Sequence, residues 1–319
     1  MHQAPNIDGV LIQWGDRLFY PGNRVVKVKP QPKLNSDSAR QRAAAIRERI
    51  EATVVRRAPQ VMVKVTGGGR GMKAIAAHFR YISKNGRLDI EDERGEKMHC
   101  KDTLPELADD WRLGGTLIDD IAEPGQRREA FNIMLSMPHG TDPLVVQRAA
   151  REFAKIELAD HKYVMVLHDH QANPHVHISV RAESKHGKRL NPRKADLHRW
   201  RETFAEKLRE RGVEAEATRQ ATRGRSRNYD PLWRIKARED GRLRTSRPTA
   251  KASPQASATR AEAVEAWMQV GRALGTSGDK ADRDLARSIT GFVREMSLFT
   301  ANAEPRWAPP RSVDTGWHR

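Results

Sequence analysis

The chain has 319 residues, with 58 Lys/Arg against 41 Asp/Glu, a net charge of +17 and 38% hydrophobic residues. No apolar run is long enough to span a bilayer, so no membrane insertion is expected, and the single cysteine, Cys100, rules out an intrachain disulfide. The opening residues Met1 to Pro5 lack the basic start and apolar core of a secretory signal, which points to the cytoplasm.

In chain order, residues 1–58 read as an N-terminal extension with an Ala/Arg-rich helix over about 38–55 that has little apolar face. Val61, Val63 and Val65 mark a short strand. Residues 66–71 form a Gly-rich turn that lacks the Lys-Ser/Thr of a phosphate-binding loop and reads as a flexible entry to a helix through Lys84. A strand is expected at 87–90 and partial helix over 103–117, weakened by Gly114 and Gly115. Phe131, Ile133, Leu135 and Met137 alternate as the inner face of a strand. Asp142 and Pro143 are the N-cap and N1 residues of a helix to about Leu158. Leu197, Trp200, Phe204 and Leu208 trace the buried stripe of a helix that stops at Gly212. The expected domains are the extension (1–58), a core with a basic tail (59–247), a linker (248–257), and a helical hairpin with a terminal tail (258–319). In the hairpin Val264, Trp267, Met268 and Leu274 face Leu285, Ile289, Phe292, Val293 and Met296. Hairpin-compatible strands with helices able to cover one face imply an α+β fold built on an antiparallel sheet.

The densest chemistry lies between His168 and His177, where four of the twelve histidines fall in ten residues. His175 and His177 are two apart in a segment whose alternation is that of a strand, so both imidazoles leave the same face. A second strand runs from Tyr163 to His168. The loop closed by Asn173 and Pro174 lets the two strands pair antiparallel and brings His168 beside His175. Three imidazoles converging from paired strands make a facial metal site with open positions. Their nitrogen donors favour Mn or Zn on affinity, while availability keeps Mg a candidate. On the 72–84 helix, Ile75, Phe79 and Ile82 form the apolar stripe and Tyr81 lies off it, beside Ala74, Ala77 and His78. With only four tyrosines in the chain, candidates for a phenolic nucleophile are few. Residues 181–250 carry 21 Lys/Arg against 10 Asp/Glu, a surplus suited to a polyanion.

Three runs resemble motifs of conjugative relaxases of the P-type mobilisation class, among them the border-nicking relaxase of the T-DNA transfer system. The first covers Val63–Gly69 and Phe79–Ile90, the second Ile133–Asp142 and the third His168–Val180, in register over about residues 60–226. The resemblance implies an HUH-like mobilisation nuclease with a His-x-His metal site and a single tyrosine. Tyr81 falls on the nucleophile, His168, His175 and His177 on the metal ligands, and Ser136 on the serine beside the nick. The third motif departs at two positions. His170 stands where an acidic residue is common, so the resemblance shifts the catalytic acid to Asp169 beside it, and Arg181 stands where an asparagine is common.

The implied activity is nicking of one strand at a transfer origin, through a 5′-phosphotyrosyl intermediate, in a bacterial cytoplasm from which the protein leaves with the DNA. The implied partners are single-stranded origin DNA, a relaxosome accessory DNA-binding protein and a type IV secretion coupling protein. Arg181, Arg189, Arg193, Lys194, Arg223, Arg225 and Arg227 are the expected phosphate contacts. Two other readings compete. A rolling-circle replication initiator shares the His-x-His core, but in those proteins the tyrosine usually follows the histidines. A non-enzymatic DNA-binding accessory protein with structural zinc would want a fourth ligand, for which Cys100 is the only thiol.

Overall fold

The computed structural model describes residues 6–20, 36–99, 103–122, 127–170, 173–224, 237, 240–242 and 254–301. These divide into two compact units, Phe19–Thr218 and Met1–Leu18 with Arg219–Arg319.

The first unit is built on one six-stranded antiparallel sheet: β1 (Met62–Gly67), β2 (Ile90–Asp92), β3 (Lys97–Met98), β4 (Ala130–Ser136), β5 (His161–His168) and β6 (His175–Ser184). Their spatial order is β1-β4-β6-β5-β2-β3. Helices cover both faces of this α+β sheet rather than the single face expected. Helices α5 (Pro143–Glu157) and α6 (Lys194–Arg209) bury Val146, Phe153, Trp200, Phe204 and Leu208 against Ile133, Leu135, Tyr163, Met165, Val176, Ile178 and Val180. Helices α3 (Met72–Ile82) and α4 (Thr103–Leu113) bury Ile75, Phe79, Leu107 and Trp111 against Ala130, Val164 and Val166. Asp142 caps α5 as anticipated, its side chain accepting from Leu144 N at 2.9 Å.

Strand alternation decides where the polar groups go. On β6, Val176, Ile178 and Val180 pack under α5 and α6, so His175, His177, Ser179 and Arg181 must occupy the face toward α3 and α4. All four are buried. That row crosses the centre of the sheet, beside Ser136, which pairs with His175, and Asn132, whose Oδ1 accepts from Ser179 Oγ at 3.1 Å.

Helix α2 (Ser36–Val54) corrects an expectation. It has a well-formed buried face: Ala43, Ile46, Ile50 and Thr53 are fully covered. Arg49 on the same face is neutralised by Glu216 (2.9 Å) and Glu202 (3.0 Å). A charged residue inside the stripe hid the helix's amphipathicity. The second unit contains α1 (Ile7–Phe19), which the sequence reading left within the extension, a 3-10 turn at Ala221–Arg223, and the pair α7 (Pro254–Gly275) and α8 (Lys280–Ala301). Trp267 is buried and its Nε1 donates to Thr222 O at 2.8 Å, so the hairpin is packed onto the turn rather than standing apart. Met268, expected on the hairpin stripe, is 45% exposed, and Ala266 and Val270 take the inner positions with Trp267.

The Gly-rich turn is pinned, not flexible. Gly69 N donates to Ala130 O and Gly71 N to Glu129 Oε2 (2.8 Å). The first free amides of α3, Met72 and Lys73, donate to Asp119 O (2.8 Å) and Asp120 O (3.1 Å). The helix N-terminus is therefore filled by backbone and offers no phosphate cradle. Gly71 has φ +75°, and a Cβ there would lie 2.7 Å from Asp120 O; Gly187 has φ +72° in open space. Gly187→Ala is accordingly expected to cost about 1 kcal/mol, the left-handed strain alone. Gly71→Ala should cost clearly more, because the 119–122 backbone must also move. Urea unfolding of the two variants checks the order, and equal costs would contradict it.

Candidate metal and nuclease site

Antiparallel pairing sets His168 directly opposite His175, and period-two geometry sets His177 on the same face. The ring centroids lie 5.0 Å (His168–His175), 4.6 Å (His168–His177) and 5.0 Å (His175–His177) apart. One nitrogen from each can be chosen so that all three lie within 4.8 Å of one another. The remaining nitrogens are anchored by backbone. His168 Nε2 donates to Ile82 O at 2.7 Å, and His175 Nδ1 donates to Asn173 O at 2.9 Å. These bonds fix the tautomers, leaving Nδ1 of His168 and Nε2 of His175 as lone-pair donors. The buried Nδ1 atoms of His168 and His177 have no hydrogen-bond partner. Such orphans, converging in a set of three imidazoles, fit a divalent cation well.

Burial, then the neighbouring histidines, hold the His177 pKa down at about 3, and burial, opposed in part by the Ile82 bond, lowers that of His168. Both rings are thus neutral and ready to ligate at physiological pH. Residue His78 of α3, named in the sequence only as a neighbour of Tyr81, proves part of the same cluster. Its ring lies 6.0 Å from Tyr81 and 6.5 Å from His177, and Tyr81 closes the triangle at 6.4 Å from His177. Burial lowers the His78 pKa to about 4, and its Nε2 has no partner. Its helical spacing of three from Tyr81 was the available signal.

Tyr81 is 69% exposed. It stands one residue before the carbonyl that His168 holds, so the phenol is placed at the rim of the histidine cluster by the ligand itself. Residues 81–213 match the family model described as Relaxase: MobA/VirD2-like, nuclease domain. This segment is a relaxase nuclease domain of that type. No curated protein matches the chain. Relaxase nuclease domains nick and rejoin DNA, which makes DNA the substrate and the chain an enzyme.

Within the relaxase domain the other anticipated residues are dispersed. Ser136 is buried beside His175, its Oγ donating to Pro174 O at 3.2 Å, so it braces the loop that leads into the ligand strand. Asp169 is exposed and borders an open depression with His139, Thr141, Asp142 and Pro174. Among the described residues no hydrogen bond joins it to an imidazole, and the orienting acceptors are the carbonyls of Ile82 and Asn173 instead. His170 lies over His168 at 5.2 Å between ring centroids. Arg181 is corrected: it is 2% exposed, and its guanidinium donates to Trp111 O and Thr116 O beneath α4. A guanidinium so engaged is a structural brace, not a phosphate ligand. Arg189, Arg193 and Lys194 are exposed and Arg223 lies in the second unit, while Arg225 and Arg227, like Cys100, fall outside the described residues. No helix among the described residues is long and apolar enough to cross a membrane.

Two outcomes follow from this geometry. Zinc or manganese should bind with one-to-one stoichiometry by calorimetry, and the His168→Ala/His175→Ala/His177→Ala protein should bind none; retained stoichiometric binding would remove the site. The metal-free protein should also lose stability as pH falls from about 7 to about 5. His78 and His177 are held neutral in the fold but protonate near 6.5 when unfolded, so the unfolded chain binds more protons across that window. Urea midpoints that do not change over this range would contradict the burial of these rings.

Proposed function

We propose that the chain is a site- and strand-specific relaxase that cuts one strand at a transfer origin by tyrosine transesterification and so begins conjugative transfer. The observation that carries this reading is Tyr81, the one exposed tyrosine among the described residues, held at the edge of three convergent imidazoles. Tyr81 Oη attacks the scissile phosphorus in line; the P–O3′ bond breaks, giving a 5′-phosphotyrosyl link and a free 3′-OH. The bond energy is conserved, so reversal at the same site rejoins the strand. A phenol with an ordinary pKa of about 10 needs help to lose its proton at neutral pH. His168, His175 and His177 would hold a divalent ion, whose Lewis acidity would polarise the phosphate oxygens and offset the negative charge that develops on them. The chain's own share is positional: the Ile82–His168 bond holds Tyr81 in register with the ligands, and Ser136 and Asn173 set the loop before His175. Asp169, exposed next to His168 in the chain, is the carboxylate proposed to take the tyrosine proton, and the departing 3′ oxygen takes up a proton in turn.

The rival tyrosines are poorly placed. Tyr163 is 3% exposed, on the face away from the histidines, and burial pushes its pKa up to about 12. Tyr20 is covered by the guanidinium groups of Arg42 and Arg49, and Tyr229 lies outside the described residues. Labelled single-stranded origin DNA incubated with metal should form a covalent adduct whose DNA-linked peptide contains Tyr81. Tyr81→Phe should abolish the adduct while leaving DNA affinity within about twofold, because only one oxygen is removed. An adduct on another tyrosine overturns the assignment.

The α7–α8 pair belongs to the unit that does not contain the histidines, which suits a docking role toward the type IV coupling protein or a relaxosome accessory protein. Removal of residues 254–319 is expected to leave nicking of the origin strand intact and to abolish transfer between cells. Normal transfer by the shortened protein would exclude the docking role.

A further inference from the structure

The nuclease reading leaves the strand without a seat beside the nucleophile, because the exposed basic run expected to hold it lies elsewhere. The backbone of Arg189 pairs with that of Glu183 in an isolated antiparallel bridge, and Leu190 N donates to Ala182 O at 2.7 Å. Those positions are five or six residues along β6 from His177, roughly 17–20 Å away at about 3.3 Å per residue. Arg193 and Lys194 follow at the start of α6. A phosphate under attack by Tyr81 is out of their reach.

The residues of α3 sort differently around Tyr81 at about 100° per residue. His78 lies to one side, toward His177. Lys73 and Arg80 lie to the other side, both exposed, with the small side chains of Ala74 and Ala77 next to Tyr81 itself, and Lys84, also exposed, follows the helix end. The helix contains no acidic residue. Just past its end the backbone is left-handed at three successive residues, Lys84 (φ 51°), Asn85 (φ 59°) and Gly86 (φ 81°). Two of these are not glycine, and the strain is held by Ser83, fully buried, whose Oγ accepts from Gly86 N at 3.0 Å and whose carbonyl accepts from Leu88 N. The reversal keeps Lys84 at the tyrosine end of the helix, its backbone N donating to Tyr81 O at 3.3 Å.

We propose that this basic flank of α3, Lys73, Arg80 and Lys84, binds the phosphates of the single strand adjoining the scissile bond, with the strand passing over Ala74 and Ala77. The inference rests on the nuclease reading and adds the substrate path to it. From Lys73 to Arg80 the helix rises about 10 Å, enough to meet neighbouring backbone phosphates, and Lys84 extends the basic flank past the helix end. Alanines let the sugar-phosphate chain approach the helix closely, and the stacked His78 and Tyr81 rings offer a face on which an adjacent base can rest.

The test uses full-length Tyr81→Phe protein, titrated at several salt concentrations with a fluorescein-labelled mixed-sequence single-stranded oligonucleotide. Each phosphate contact on a single strand contributes about 0.7 to the slope of log affinity against log salt. Adding Lys73→Ala, Arg80→Ala and Lys84→Ala together should therefore reduce that slope by about 2, with metal stoichiometry and melting temperature unchanged. Arg80→Lys alone keeps the charge and should keep the slope. An unchanged slope in the triple variant overturns the proposal, whether or not Arg189→Ala/Arg193→Ala/Lys194→Ala lowers it. Should the triple variant lower the slope while the unsubstituted protein forms no covalent adduct on origin DNA, the strand path stands and the nuclease reading fails.

Discussion

One hydrogen bond ties the chemistry to the fold: the imidazole of His168 donating from Nε2 to the carbonyl of Ile82. The last carbonyls of any helix lack intrahelical donors, and a buried one left unpaired costs about 1–3 kcal/mol. Here the donor is a metal-site histidine. The bond therefore satisfies the end of the tyrosine helix, selects the His168 tautomer and directs its Nδ1 to the other two rings. Because Tyr81 is the residue before Ile82, the distance between nucleophile and ligand cluster is set by a single rigid contact rather than by a chain of flexible ones.

The opposite end of the same helix is held just as firmly. Met72 and Lys73 donate to the carbonyls of Asp119 and Asp120, and the segment that supplies those carbonyls is braced by Arg181 through Trp111 O and Thr116 O. Gly115, at φ +152°, lets the chain pass against that guanidinium at a point where a Cβ would lie 3.1 Å from it. Arg181 belongs to the same outward row of β6 as His175 and His177. A single strand thus carries two metal-site rings at one end and, at the other, the brace for the helix that brings the nucleophile. Placing four polar side chains in a row on the central strand is costly in packing terms, and the structure meets the cost by giving His175, Ser179 and Arg181 partners while leaving His177, like His168 on β5, with a nitrogen free for a cation.

Much of this was legible in the residues. The valine–histidine alternation from His175 to Val180 identified the strand face, and the Asn173–Pro174 turn identified the partner strand; both follow from a strict two-residue period. Helices α5 and α6 announced themselves through a cap and an uninterrupted apolar stripe. Helix α2 did not, because Arg49 occupies its buried face and its compensating acids, Glu202 and Glu216, lie over 150 residues away. Long-range pairing of this kind leaves no local signature. Arg181 was misread for a related reason: a cation in a basic stretch looks like a surface charge unless the carbonyls that receive it are known. His78 was visible three residues from Tyr81, but its approach to His177 depends on how α3 lies across the sheet. The glycines at 67–71 looked mobile, and only the facing backbone of Asp119, Asp120, Ala122 and Ala130 shows that they are there for close approach.

The account depends most on the tautomer and ligand assignment of His168. Nitrogen-15 NMR of the histidine rings in the zinc-loaded full-length protein measures it directly, since the two ring nitrogens give distinct shifts when protonated and when metal-bound. His168 should be bound through Nδ1 and protonated at Nε2, with His175 the reverse, bound through Nε2 and protonated at Nδ1. A His168 that ligates through Nε2, or that keeps its metal-free shifts when zinc is added, would contradict it, because the bond to Ile82 could then no longer place Tyr81 against the metal.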